Sequence, residues 1–382
     1  MRTKVCRHAT ICLIGSSMFL TALTGCEKVP TFQELTGEQQ GKPANTTQNP
    51  AATAKVSQPT PVPEVAKPAP IDPAKFLADF SAKRSDAITD ADLQTLASLD
   101  SGREQVVSLD ITRSGITDGV LQNLTKLPEL SVLILTATNI DGHGLEALAG
   151  CPKLKRLKLT SVLKMTPQGW DALSKVSQLE FLDVSSTSSI TDADVAKFTA
   201  MPHLRELNLS ETTLTDEVFK TLAQMENLEI LHIERDGLIR GIGLQAYLKS
   251  KPALREIYAN GTPLGYAGLR HIKSIHSLQF LDISGSSLTD TQFAELKGAN
   301  NLVHLKIGAN FLSNDGMKTV LSLSKLKILD LEGMPTINDA ALGILSKKSG
   351  LQTLNAKKVP FTPKAIEQFR KIHKNCEVLV SE

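Results

Sequence analysis

The residues with the clearest potential for chemistry in this 382-residue chain are a glycine-rich segment and two histidines. The segment Gly241-Ile-Gly243-Leu-Gln-Ala246 loosely matches a dinucleotide-binding fingerprint. That fingerprint directly follows a strand, whereas Gly241 comes eight residues after the predicted strand that ends at Ile233. His271 and His276 stand five residues apart on a predicted helix, which is a poor spacing for a shared metal ion. With no nucleophile elbow, Walker loop or His-Glu-x-x-His motif in the sequence, we predict no catalytic residues, no cofactor, no metal site and no enzymatic activity.

The first residues have the composition of a secretory leader. Three basic residues fall within the first seven positions, and an apolar run over residues 11–23 is too short to span a membrane permanently. The motif Leu23-Thr24-Gly25-Cys26 follows and resembles the lipobox of bacterial lipoproteins, whose cysteine is acylated after cleavage just before it. The resemblance implies a lipoprotein signal peptide over residues 1–25 and lipid attachment at Cys26. The alternative is a plain secretory signal with an unrelated cysteine.

The lipobox resemblance also implies a location. The protein would belong to the bacterial cell envelope, face the periplasm or the cell surface, and contact the membrane through its lipid anchor only.

Charge and composition narrow the range of partners. The leader holds three of the 42 Lys and Arg residues, which leaves 39 against 40 Asp and Glu. A nearly neutral chain attracts no polyanion through its overall field, so we predict no nucleic-acid partner. Hydrophobic residues make up 41% of the chain but aromatic residues only 4%, so the core is expected to be aliphatic.

Two segments precede the main body of the chain. Residues 26–71 are rich in Pro, Thr, Gln, Ala and Lys and have almost no large apolar residues, which predicts a disordered Pro-rich tether. Residues 72–105 contain helix starts at Asp72-Pro73 and Thr89-Asp90 followed by spaced leucines. We predict that they form an N-terminal helical cap.

A repeat occupies residues 106–382. Apolar residues recur at its first, fourth and sixth positions, with successive starts 24 to 26 residues apart. The repeats begin at Val106, Leu130, Leu154, Leu179, Leu204, Leu228, Leu254, Leu278, Leu302, Leu326 and Leu351. A degraded twelfth repeat begins at Cys376, with Leu379 at its fourth position, and belongs to a C-terminal cap. Such spacing predicts one strand and one helix per repeat, stacked so that neighbours bury each other's apolar faces.

Helix starts recur between the predicted strands. They take the form of Thr-Asp pairs at Thr117-Asp118, Thr191-Asp192, Thr215-Asp216 and Thr289-Asp290. We expect the threonine to cap the helix and the aspartate to favour its positive end. Thr289 with Gln292 predicts a capping box.

These features resemble the leucine-rich-repeat family, in its longer-period class with a Thr-Asp helix start, over residues 88–382. The resemblance implies an α/β fold, a leucine-rich-repeat solenoid shaped as a curved horseshoe, with a parallel β-sheet on the concave face and helices on the convex face. The family's ninth-position asparagine occurs as Asn310 and is replaced by threonine in several other repeats. The period differs from that of the bacterial internalins, so we do not expect an internalin-like adhesin.

The concave face is the candidate binding surface. Third- and fifth-position side chains point there because neighbouring strand residues alternate sides. The third position is apolar in every second repeat, at Val132, Phe181, Ile230, Phe280 and Ile328. Polar residues fill the intervening repeats, at Ser108, Arg156, Glu206, Glu256, His304 and Thr353. Together with His232, Tyr258 and Asp282 at fifth positions, the five apolar residues are candidate anchors for a partner. The alternative is that β-branched and aromatic residues simply suit strands.

Aspartates also recur at the fifth position. They stand at Asp110, Asp183, Asp282 and Asp330 and suggest an acidic ridge. Lys158, His232 and Lys306 interrupt this series, so a dedicated cation site is not expected.

The sequence thus predicts a monomeric, membrane-anchored lipoprotein that acts as a protein-protein interaction scaffold, with a protein or peptide partner on its concave face. Two alternatives stay open. One is a cell-wall or glycan binding module, and the other is a structural envelope lipoprotein without a specific ligand.

Overall fold

The computed structural model describes residues 71–248 and 253–381. The predicted signal peptide, Cys26 and all but the last residue of the predicted tether lie outside the described residues. Twelve strands form one sheet in which every neighbouring pair is parallel and strand order follows the chain. This architecture confirms the predicted α/β solenoid with a single parallel sheet. Among the described helices, none has the length and apolar character needed to cross a membrane.

Each repeat contributes one strand of three residues. The strands are β1 Ser108–Asp110, β2 Val132–Ile134, β3 Arg156–Lys158, β4 Phe181–Asp183, β5 Glu206–Asn208, β6 Ile230–His232, β7 Glu256–Tyr258, β8 Phe280–Asp282, β9 His304–Lys306, β10 Ile328–Asp330, β11 Thr353–Asn355 and β12 Glu377–Leu379. The middle residue of every strand is buried, and its two neighbours are exposed to a greater degree in nearly all strands. Third and fifth positions therefore lie on the side of the sheet opposite the core, which is called the inner face below.

Short helices connect the strands. The α-helices are α1 Pro73–Ala82, α2 Asp90–Ser98, α3 Pro167–Ser174, α4 Asp192–Ala196, α5 Val218–Leu222, α6 Leu244–Tyr247, α7 Gly265–Ile272, α8 Asp290–Phe293, α9 Met317–Leu321, α10 Asp339–Leu345 and α11 Pro363–Ile372. Segments of 3₁₀-helix are Ser85–Ala87, Arg103–Gln105, Asp118–Lys126, Leu145–Gly150, Lys197–Ala200, Ala294–Leu296 and Asn314–Gly316. Between β1 and β2, and between β2 and β3, the connecting helix is a 3₁₀-helix, which winds more tightly than an α-helix.

The core is a continuous stack of aliphatic side chains. Fourth-position residues such as Leu109, Leu133 and Leu157 are fully buried between the sheet and the helices. Each fully buried leucine contributes about 1.5 to 3 kcal/mol to folding relative to an exposed one. Trp170 and Phe198 fill the space between adjacent helices, with ring centroids 6.1 Å apart in an edge-on arrangement. The regularly spaced leucines therefore form the continuous hydrophobic core.

The twelfth repeat corrects one prediction. Thr353 of β11 pairs with Glu377 of β12, so the repeat begins one residue before Cys376 and Leu379 takes the fifth position. Val378 and Val380 supply the core contacts at the fourth and sixth positions. The prediction that placed Leu379 at the fourth position was wrong, because Val378 and Val380 occupy the two core positions at which leucine was expected.

The Thr-Asp pairs have a second role that the sequence pattern did not predict. Thr289 forms the predicted capping box and Thr191 forms another, whereas the Thr117 side chain makes no capping hydrogen bond with its 3₁₀-helix. The neighbouring aspartates, however, reach across to the next repeat. Asp192 accepts hydrogen bonds from the backbone N–H (3.1 Å) and the hydroxyl (2.7 Å) of Thr215. Asp90 and Asp339 bind the next repeat in the same way, and Asp118 accepts three backbone N–H groups there. These carboxylates therefore stabilise the stacking of repeats as well as helix starts.

A left-handed turn follows the strands. The residue at the eighth position has a positive φ in eleven repeats, from 51° at Ala309 to 72° at Gly333, and eight of these residues are not glycine. The N–H of this residue donates to the seventh-position carbonyl of the next repeat, as from Ser161 to Ser185 at 2.9 Å. The inter-repeat ladder thus extends beyond each short strand and fixes the geometry of the inner face.

The ninth position shows two solutions to one buried polar site. Asn310 accepts from the backbone N–H of Leu288 at 3.0 Å and donates to the carbonyls of Ile283 and Ile307 at 2.9 and 3.0 Å. Asp236 accepts from the N–H and the hydroxyl of Thr212, but its Oδ2 atom is buried without a hydrogen-bond partner among the described residues. Burial raises the pKa of Asp236 to about 7.

Candidate partner-binding face

The parallel register places the third-position residues of neighbouring repeats side by side on the inner face. Val132, Ile230, Phe280 and Ile328 lie there half-buried. Phe181 is different, since only 5% of it is exposed. The guanidinium of Arg156 lies 3.8 Å from the centroid of its ring and covers it. Four of the five predicted apolar residues are thus accessible, and the fifth lies beneath a cation of its own chain.

Four aromatic rings form a continuous row across strands β6 to β9. His232 stacks on Tyr258 with ring centroids 4.3 Å apart and an interplanar angle of 10°. Tyr258 lies 4.5 Å from Phe280, and Phe280 meets His304 edge-on at 4.7 Å. The rings are contributed by fifth positions on β6 and β7 and by third positions on β8 and β9. We call these four residues the aromatic row.

Sequence reasoning predicted part of the aromatic row. It singled out His232, Tyr258 and Phe280 separately but placed His304 among the polar rows. The contact between Tyr258 at a fifth position and Phe280 at a third position does not follow from the alternation of apolar and polar third positions. A search for aromatic residues at either inner-face position of consecutive repeats would have found all four.

Carboxylates border the aromatic row. Glu206 Oε1 lies 3.5 Å from Nε2 of His232, and Glu234 Oε2 lies 3.6 Å from Nδ1 of the same ring. The hydroxyl of Tyr258 donates to Glu256 Oε2 at 2.9 Å. Glu234, which follows β6 at the seventh position, was not among the predicted residues. Carboxylates therefore contact the His232 and Tyr258 end of the row.

The electrostatic surroundings keep the rings of Tyr258 and His304 uncharged near neutral pH. Burial, reinforced by Glu256, raises the pKa of Tyr258 to about 12. Burial, with Lys306 nearby, lowers the pKa of His304, which favours its neutral form. The hydrogen bond with His232 lowers the pKa of Glu234, which keeps this carboxylate ionised.

The aspartates at the fifth position have a structural explanation. Asp110, Asp183, Asp282 and Asp330 each accept a hydrogen bond from the backbone N–H two residues further along, at 2.8 to 3.0 Å. This is the geometry of an Asx turn, in which the side chain starts the reversal after the strand. Asp282 is buried and also lies 3.7 Å from the Lys306 ammonium. Their recurrence therefore reflects turn formation along the inner face.

The other residues considered for chemistry also have structural roles. Gly241 has a φ of 79° and, like Gly243, packs so closely against the neighbouring repeat that a Cβ atom would collide with its backbone. Cys151 and Cys376 are buried free thiols, and burial raises the pKa of Cys151 to about 11. Within residues 71–248 and 253–381, no group of three or more His, Cys, Asp or Glu side chains is arranged to hold a metal ion.

Solved structures share this architecture. An internalin of Listeria monocytogenes superposes with a TM-score of 0.52 at 18% identity, covering 76% of this chain and 76% of that one. In the mouse RP105/MD-1 complex, a chain superposes with a TM-score of 0.50 at 18% identity, covering 77% of this chain and 56% of that one. A leucine-rich-repeat protein of Leptospira interrogans gives 0.47 at 19% identity, with 72% of both chains covered.

The chain has a leucine-rich-repeat fold. At identities below one fifth, the similarity extends to the fold of this solenoid and to nothing finer. No protein-family profile and no curated protein sequence matches the chain. The likeness to an internalin therefore says nothing about function, which depends on the side chains of this chain's own inner face.

Proposed function

We propose that this leucine-rich-repeat protein is a non-enzymatic scaffold that binds an extended segment of another protein on its inner face, and that it works as a monomer. The aromatic row is the observation that carries this proposal. Clustered rings in a polar surround dominate the free energy of many protein interfaces, because they bury a large area with little loss of side-chain entropy. An extended segment that crosses β6 to β9 would contact all four rings.

The rigidity of the face supports the same function. Each strand from β2 to β11 is hydrogen-bonded to two neighbours, and the ladder continues into the turn through eighth-position N–H groups. A preorganised surface loses little entropy on binding. One structural neighbour comes from a protein complex, that of mouse RP105 and MD-1, which is consistent with protein binding by this fold.

The test is recovery of a partner from the native cells. The tagged full chain is crosslinked in place, extracted in detergent and purified, and the proteins that come with it are identified. We expect Phe280→Ser to lower recovery at least tenfold. Phe311→Ser is the matched control, because Phe311 is 67% exposed and lies outside the strands. Equal recovery with both variants would overturn the inner-face proposal.

We further propose that Cys26 is acylated and anchors the protein to a bacterial membrane in the cell envelope. The lipobox resemblance and its position after an apolar run support this. Two or more acyl chains, at about 0.8 kcal/mol per buried methylene, hold a protein at a bilayer stably. Growth with an alkyne fatty acid should label the wild-type chain but not Cys26→Ser. Labelling that survives this substitution would refute attachment at Cys26.

A further inference from the structure

On the inner face, a cationic side chain of the chain itself is bound by an aromatic ring and a carboxylate. The Arg156 guanidinium lies 3.8 Å from the Phe181 ring centroid, and its Nη1 atom is 3.4 Å from Glu206 Oε2. A ring on one strand and a carboxylate on the next therefore bind the same cation. Lys306 on β9 makes a related pair of contacts with β8 alone, with its ammonium 5.7 Å from the Phe280 ring centroid and 3.7 Å from Asp282.

The same pair of groups occurs on β6 and β7, where His232, and no Lys or Arg of the chain, lies against the ring and near the carboxylates of Glu206 and Glu234. The Tyr258 ring stacks on His232, and Glu256 and Glu234 lie beside this stack. Glu256 accepts from the phenol hydroxyl, and Glu234 accepts from the Asn260 amide. Among the residues that the structure describes, neither carboxylate lies within 4 Å of a Lys or Arg nitrogen. The side chain of Glu234 retains 28% of its exposure.

Charge on the central strands is one-sided. The third, fifth and seventh positions of β5, β6 and β7 carry Glu206, Glu234 and Glu256 and no lysine or arginine. Arg156 neutralises only Glu206. An acidic or phosphorylated segment would be repelled here, and a purely apolar one would leave ionised carboxylates desolvated without a partner.

We infer that the partner segment is basic, and that a Lys or Arg side chain binds on the solvent side of the His232–Tyr258 stack, between Glu234 and Glu256. This inference deepens the proposed function and depends on it. The cation gains from the carboxylates, because His232 and Phe280 already lie against the Tyr258 ring from the two flanking strands. Carboxylates on alternate strands are about 10 Å apart, which is close to one three-residue turn of polyproline II chain, where every third side chain lies on the same face. Basic residues three apart therefore suit the spacing of Glu206 and Glu256.

The test uses the full chain in nonionic detergent and fluorescent nine-residue peptides. The probe is (Lys-Thr-Thr)₃, with (Gln-Thr-Thr)₃ and (Glu-Thr-Thr)₃ as neutral and acidic controls, and binding is followed by fluorescence anisotropy. We expect the lysine peptide to bind at least tenfold more tightly than the neutral one and to weaken as salt rises.

Two double variants separate a specific site from general attraction to an acidic protein. Glu234→Gln with Glu256→Gln should weaken binding of the lysine peptide at least tenfold. Glu217→Gln with Glu226→Gln removes the same charge from exposed positions on the helical side and should leave binding within twofold. Thermal unfolding checks that each variant folds. If the first one does not, Glu256→Gln alone replaces it, because the only side-chain hydrogen bond of Glu256 within the described residues is the one it accepts from Tyr258.

Each outcome decides the inference. Equal weakening by both double variants, or equal binding of the three peptides, would overturn the basic-segment inference. If Phe280→Ser still lowers partner recovery in that case, the proposed scaffold function stands without it. If Phe280→Ser also has no effect, the proposed function fails as well.

Discussion

Two neighbouring regions of the inner face differ in whether their carboxylates are paired with a Lys or Arg of the chain. On β3 to β5, Arg156 covers Phe181 and pairs with Glu206, so ring, cation and carboxylate satisfy one another. On β6 and β7, Tyr258 stays accessible and Glu256 has no basic partner among the described residues. Both regions have the same strand geometry. One repeat scaffold can therefore carry either a ring covered by its own cation or a ring that stays accessible, depending on a few inner-face side chains.

The acidic excess near β6 extends into the core. Asp236 follows this strand, and the nearby carboxylates of Glu211 and Glu234 add to the effect of burial on its pKa. The corresponding ninth position after β4 is Thr187, a neutral and buried residue. The region in which Glu234 and Glu256 have no Lys or Arg partner among the described residues is therefore also the region with a buried acid.

The largest expected effect concerns Asp236 and pH. In the unfolded chain this carboxyl ionises near pH 4, whereas in the folded chain its pKa is about 7. Between these values the folded chain holds a proton that the unfolded chain releases, so stability is fully present below about pH 4 and falls as pH rises to 7. The loss from this group amounts to roughly 4 kcal/mol at most. Urea unfolding at pH 5 and pH 8 measures it.

The reciprocal pair Asp236→Asn and Asn310→Asp provides the control. The first should remove this part of the pH dependence and raise the free energy of unfolding at pH 8. The second should lower stability, because an ionised oxygen would replace an amide that donates to Ile283 and Ile307 carbonyls. An Asp236→Asn variant with the wild-type pH profile would show that Asp236 is ionised normally.

The second prediction compares the covered ring with the accessible one. Phe181→Ala should lower the free energy of unfolding by about 3 kcal/mol, because it empties a buried site beneath Arg156. Tyr258→Ala should cost about 1 kcal/mol, since its half-buried ring loses mainly stacking with His232 and Phe280. Chemical unfolding of the two variants gives the difference. Similar losses would mean that the two regions are packed alike.

The smallest expected effect comes from removing the Arg156 side chain that covers Phe181. Arg156→Ala removes one partly exposed ion pair and one cation–π contact, which should cost about 1 kcal/mol in stability. It also frees Glu206, so binding of the lysine peptide should tighten about twofold. Arg235→Ala is the control, since Arg235 pairs with Glu211 at 2.7 Å outside the strands. A loss of peptide binding in Arg156→Ala would contradict the comparison.

Much of the fold could be predicted because it depends on local spacing. Leucines at the first, fourth and sixth positions of a near-constant repeat leave stacking as the only way to bury them. The failure came in the last repeat, where Val378 and Val380 fill the core positions and the leucine lies on the inner face. A weak apolar pattern allows a shift of one residue, and only the backbone hydrogen bonds of β11 fix the register.

The sequence by itself determined the solenoid, the side of each strand that faces inward and the candidate residues Tyr258, Phe280 and His232. Tertiary structure decided which of them form a surface. Contacts such as Tyr258 with Phe280, His304 with Phe280, and Arg156 over Phe181 join residues about 22 to 25 positions apart. Their existence depends on side-chain directions across neighbouring strands, which a one-dimensional repeat does not contain. For the same reason the structure, and not the pattern, shows Phe181 as covered and Glu256 as available.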